Sequence, residues 1–113
     1  MTTTVHKIED SIKEAKVHVD LAAALQRLAS NKDFKAVILT GYLKDEAIRL
    51  VHLKAHPAMS AANHQSSIVS QIDAIGGLLS YFRTLEHNAS IARKSIEADE
   101  ETRDELLASE LQA

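Results

Sequence analysis

His52 and His56 stand four residues apart, a spacing that on a helix turns both imidazoles to one face, as chelation of a divalent metal requires. His64 could add a third ligand from the loop that follows. The intervening Leu53-Lys54-Ala55 lacks the glutamate of the HExxH zinc motif, and Pro57 disturbs helical geometry at His56. Histidines at a helix end that meet carbonyl groups or solvent account for the same spacing, so no metal ligand is assigned. Asp45 and Arg49 form an i,i+4 pair flanked by Lys44 and Glu46. Asp45 continues the helical stripe of Phe34, Ile38 and Tyr42, so the pair is expected to orient helix packing or an interface. General acid–base chemistry would need a second acid, base or metal at helical spacing, and none is present.

Other nucleophile and phosphate signals are weak. Ser66, Ser67, Ser70 and Gln71 read as a polar helix start, without the turn motif that builds an oxyanion hole. Gly76-Gly77 lacks the Lys-Ser/Thr of a phosphate loop. Asn88-Ala89-Ser90 matches a glycosylation sequon with no secretory signal to give it meaning. Cysteine is absent, which excludes disulfides, thiolate metal sites and cysteine nucleophiles. No catalytic residue, cofactor site or metal site is assigned, and no enzyme activity is expected.

The elements that carry these residues must be helices. A chain of 113 residues is sized for one domain, and 45% apolar residues suffice for a core. One proline and three glycines are too few to punctuate an all-β fold, and with no tryptophan the core falls to Leu, Ile, Val and Ala. The first sixteen residues have no apolar core of the signal-peptide kind, and no uncharged run is long enough to span a bilayer. A soluble protein made in the cytoplasm is expected. The net charge of −3 is uneven, because seven acids and one arginine follow Ile96. The rest carries a mild positive excess with no dense basic cluster, which disfavours direct binding of nucleic acid.

Helical periodicity places the first helix over 5–30, where Val5, Ile8, Ile12, Ala15 and Val19 form a stripe continued by Ala22, Leu25 and Leu28. Asp20 could cap a fresh start at Leu21. Asn31 and Asp33 mark a stop and a new N-cap for a second helix over 33–55, which Pro57 ends. That helix has two apolar faces: Phe34, Val37, Ile38, Tyr42, Ile48 and His52 on one, Leu39, Leu43, Ala47 and Leu50 on the other. Burial between neighbours is expected, with Gly41 allowing a close helix approach or marking a kink. Residues 57–65 read as a loop. The third helix spans 66–98 or longer, with Ile68, Ile72, Ile75, Leu79 and Phe82 at coiled-coil spacing. Leu85, Ala89, Ala92 and Ile96 resume that spacing after an extra step of three. Gly76 and Gly77 are expected where another backbone packs tightly. The acidic extension, 97–113, reads as a solvated helix face or as a docking strip for a basic partner. The fold expected is all-α, a single three-helix domain with an antiparallel helical hairpin and a long, coiled-coil-like C-terminal helix. Projection of the long helix beyond the hairpin would leave its seam solvated, which points to self-association.

The run ALQRLASNKDFKAVILTGYLKDEAIRLVHLKAHP, with QSSIVSQIDAIGGLLSYF and SIEADEETRDELLASE, resembles a family of small all-helical proteins encoded by tailed bacteriophages near their structural genes. The resemblance covers about residues 24–110. It is carried by the start at Asn31–Phe34, the GY-x-x-[DE]-E-A-x-R-L pattern of Gly41–Leu50 and the IDAIGG turn at Ile72–Gly77. It implies a compact helical protein associated with virion genes, and brings no catalytic residues.

Together these readings lead to a phage virion or head-assembly accessory protein. It would self-associate and dock its helices onto larger phage structural proteins, in the host cytoplasm during infection or incorporated in the virion. Gly41, Tyr42, Asp45, Arg49, Gly76, Gly77 and Phe82 are the expected helix-contact or interface residues. Tyr42, Tyr81 and Phe82 read as core or interface anchors. A host-directed phage protein that inhibits or sequesters a host factor or small ligand is the alternative. A metalloprotein or enzyme around His52, His56, His64 and Asp45 is a third.

Overall fold

The computed structural model describes residues 2–112, and among them there are only helices and short turns. The all-α expectation therefore holds. The first helix is Thr2–Ala29 and runs without a break through Asp20, so no second start occurs at Leu21. Asn31 then leaves helical geometry, at φ −70° and ψ 128°, and its side-chain oxygen accepts the Phe34 N–H at 2.9 Å. This satisfies one of the orphan donors of a new helix, as N-cap asparagines do.

The second helix occupies 32–55 and changes its winding on the way. A short α segment, Lys32–Phe34, leads into a π-helical stretch, Lys35–Glu46, and α geometry returns over Ala47–Ala55. Twelve residues is long for a π-helix, which usually appears as a single-turn bulge and is often found at functional sites. The wider winding rearranges the apolar residues. Phe34, Ile38 and Leu39, Tyr42 and Leu43, and Ala47 follow one another in steps of four and five, and all are half-buried. Two apolar faces of an α-helix thus become one, while Val37, Ile48 and Val51 remain exposed. The expectation of a helix buried on both faces is corrected accordingly. Gly41 produces no break in the helix.

At the helix end, His56 is extended, at φ −72° and ψ 131°, as the residue before a proline prefers. A 3-10 turn, Pro57–Met59, follows, and the third helix begins at Ala62, several residues before the loop was expected to end. The Gln65 side chain donates to the carbonyl oxygens of Lys54, at 2.9 Å, and Met59, at 2.7 Å. Carbonyl groups freed at the turn are thereby satisfied from the first turn of the next helix. The third helix is Ala62–Gln112 and includes the acidic extension.

Two compact units divide the chain. One is Leu25–Arg83, with Leu50, Ile68 and Ile75 at its core and Tyr42, Leu43, Ala47, Leu53, Met59 and Ile72 packed around them. Phe34 and Phe82 meet in the same unit as tilted rings with centroids 6.2 Å apart, an arrangement aromatic pairs favour. The other unit comprises the described residues through Ala24 and from Thr84 onward. Val5, Ile12 and Ala22 of the first helix and Ala89 and Ala92 of the third are its buried residues. Ser11 Oγ donates to Asp99 Oδ2 at 2.8 Å, so the two helices of this unit are also joined by a polar bond. The later part of the third helix therefore does not carry a solvated seam, since Ala89 is fully buried within the chain. The acidic extension shares in this packing: Asp99, Arg103 and Leu106 are half-buried and prolong the inward register of Ala92 and Ile96.

Candidate functional site

A concavity lies in the 25–83 unit, between the π stretch and the third helix. It is an open groove of about 460 Å³ lined by Val37, Ile38, Gly41, Tyr42, Glu46, Leu50, Gln71, Ala74 and Ile75. Leu50 and Ile75, 1% and 5% exposed, belong to the packed core and form part of its apolar lining. Val37 is 66% exposed, so apolar surface continues outward from it. Gly41 contributes to the groove by having no side chain. Its conformation is an ordinary helical one, but a Cβ placed on it would stand 2.8 Å from the carbonyl oxygen of Ala36. A side chain at position 41 would therefore crowd the carbonyl oxygen five residues back in the same helix, a close contact that glycine relieves.

Polar groups in the lining are few. Tyr42 is half-buried, with its ring against the Leu50 core, and Gln71 is exposed. Glu46 accepts two bonds from Arg49 Nε, at 2.9 and 3.1 Å, and a third, closer one from Arg49 Nη2. This bidentate pair holds the Glu46 carboxyl below the usual glutamate range and raises the Arg49 guanidinium, in both cases chiefly through the hydrogen bonds themselves. The ion pair expected between Asp45 and Arg49 is therefore replaced by Glu46–Arg49. Spacings of three and four both bring helical side chains together, and here Asp45 is left exposed.

The remaining expected contact residues are dispersed. Gly76 and Gly77 are exposed, and a Cβ on either meets nothing within 4 Å, so no other part of the chain packs tightly there. Phe82 is half-buried against Phe34, whereas Tyr81 is 53% exposed. His56 has a local task, because its Nδ1 accepts the Ala58 N–H at 3.1 Å and caps the 3-10 turn. Among the described residues no group of three or more His, Asp or Glu side chains is placed to hold a metal ion. No helix among them is long and apolar enough to cross a membrane. A second hollow, of about 270 Å³, lies in the other unit between Ala15 and His18 of the first helix and Asn88, Ile91, Ala92 and Ser95 of the third.

Sequence reasoning named Gly41 and Tyr42 but missed the groove they share with Val37, Leu50, Gln71, Ala74 and Ile75. The one signal available was a glycine inside an otherwise apolar helix, which marks close backbone approach. Here the approaching backbone belongs to the same helix. Comparison with protein-family models, with curated proteins and with solved structures finds no match to the chain.

Proposed function

We propose that the protein is a non-catalytic assembly protein of a tailed bacteriophage, working by self-association and by docking its helices onto larger virion or head proteins. The observation that carries the reading is the open apolar groove of the 25–83 unit, continued outward by exposed Val37. Contiguous apolar surface of this kind on a folded chain marks interaction sites. The few polar groups beside it, including a carboxylate already engaged by Arg49, suit helix docking better than acid–base chemistry. An antiparallel hairpin of the second and third helices, with coiled-coil-like packing, is the architecture that fits this role. The resemblance of residues 24–110 to small phage-encoded helical proteins supplies the biological setting.

Light scattering coupled to size exclusion tests the physical part. A defined species heavier than the 12.4 kDa chain, persisting on dilution, supports self-association. A monomer at every concentration removes its basis. Mass spectrometry of purified particles tests the setting. Presence at fixed stoichiometry supports a virion role, while early expression with absence from particles favours the host-directed alternative.

A further inference from the structure

We infer that the second helix has two windings: the π form described above, and a minor all-α form that turns the Ala47–Ala55 segment over and uncovers Leu50. Steps of four and five over Lys35–Glu46 correspond to about 80° per residue, against about 100° in an α-helix. Across the twelve residues of the stretch this difference adds to roughly 240°. With Phe34 held against Phe82, α winding therefore rotates the following α segment by more than half a turn about its own axis.

That segment can pack either way up. In the π form Leu50 lies in the core with Ile68 and Ile75, and Ala47 and Leu53 pack beside it. Ile48 and Val51, apolar as well, are 48% and 56% exposed. In the α form Ile48 and His52 join Phe34, Val37, Ile38 and Tyr42 on one face, while Leu39, Leu43, Ala47 and Leu50 make the other. Packing the first face inward leaves the second in solvent, apolar surface that the π form keeps buried or half-buried. The inner face sets which form prevails. The π winding gathers Phe34, Ile38, Leu39, Tyr42, Leu43 and Ala47 there, whereas the α face also carries Asp45, Arg49 and His52. Covering those polar groups costs free energy, so the π form is the resting state. The α form belongs with alternative packings populated on the order of 0.1–10%.

The absence of cysteine allows single-thiol probes in the full chain. Ala47→Cys sits on the face that the α form exposes, and Ile48→Cys on the face that it turns inward. Gly41→Ala biases the equilibrium, because a Cβ there crowds the Ala36 carbonyl in the present winding, while an α-helix accommodates alanine at an interior position. Adding Gly41→Ala is expected to speed thiol labelling at position 47 at least tenfold and to slow it severalfold at position 48, with the helical circular dichroism retained. Rates that rise together would mark loosening, and rates that stay unchanged would mark a single winding; either overturns the inference. Relaxation-dispersion NMR on the unaltered chain reads the same exchange without a substitution. Dispersion is expected at the amides of 35–55, with minor-state shifts of an α-helix. Flat profiles there overturn the inference even where Gly41→Ala fails to fold.

Discussion

A methyl group on Gly41 would lie 2.8 Å from the carbonyl oxygen of Ala36, whereas one on Gly76 or Gly77 would meet open space. Alanine should therefore act in opposite directions at these sites. Gly76→Ala and Gly77→Ala are expected to stabilise the protein by roughly 0.5–1 kcal/mol each, through reduced freedom of the unfolded chain and better helix propensity. Gly41→Ala is expected to destabilise it by about 1–3 kcal/mol, as overpacking against fixed backbone does. Urea unfolding monitored by circular dichroism gives the sign at each position. Stabilisation at position 41 would show that the Ala36 carbonyl does not crowd a side chain there.

Leu50 and Val51 are sequence neighbours with opposite surroundings, 1% and 56% exposed. Leu50→Ala is expected to cost about 2–5 kcal/mol, because it opens a cavity beside Ile68 and Ile75. Val51→Ala should change stability by no more than about 0.5 kcal/mol. Equal losses in chemical denaturation would place both side chains in a core and contradict the packing described for the second helix.

The Asn31 cap predicts a loss of about 0.5–2 kcal/mol for Asn31→Ala, with Asn31→Asp retaining most of the stability. Hydrogen exchange should quicken first at the Phe34 amide, whose acceptor is removed. Unaltered protection of that amide would count against the cap.

The Glu46–Arg49 pair has a pH signature. The Glu46 carboxyl is held below its ordinary value, so its contribution is complete above the unfolded glutamate range and is lost as pH falls through the lowered folded value. Carbon-detected NMR titration should give a Glu46 midpoint below the ordinary glutamate value, and Arg49→Ala should return it there. Because both side chains are on the surface, the pair is expected to contribute little to global stability. A midpoint unmoved by Arg49→Ala would show that the two side chains do not pair in solution.

The parts of the fold legible in the sequence are those governed by local chemistry. Asn31 and Pro57 bracket the second helix because capping and the proline ring act within a few residues. The 3-4 spacing of Ile68, Ile72, Ile75, Leu79, Phe82, Leu85, Ala89, Ala92 and Ile96 marks an inward line, and every one of these residues is buried or half-buried. The π stretch was not legible, since Lys35–Glu46 is composed of residues that α and π winding accept alike. Read at α periodicity, its apolar residues fall on two faces, and the groove beside Gly41 disappears. Long-range pairing was hidden too: nothing local to Ser11 or Asp99 announces the bond between them. Asp99 and Arg103 stand in the inward line, and a sequence reading assigns both to solvent on charge alone.

That bond between residues 88 positions apart has a temporal meaning. On a ribosome, the Leu25–Arg83 unit has all its parts once Arg83 has emerged, and it can close on itself. The described residues through Ala24 are made before that unit yet finish after it, for their partners begin at Thr84. At about 5–20 residues per second, this wait lasts on the order of seconds. Through that interval Val5, Ile12 and Ala22 lack the neighbours that later cover them. The nascent chain thus carries a completed middle and an unsatisfied leading helix, a stage at which chaperones, or another copy emerging nearby, can reach it.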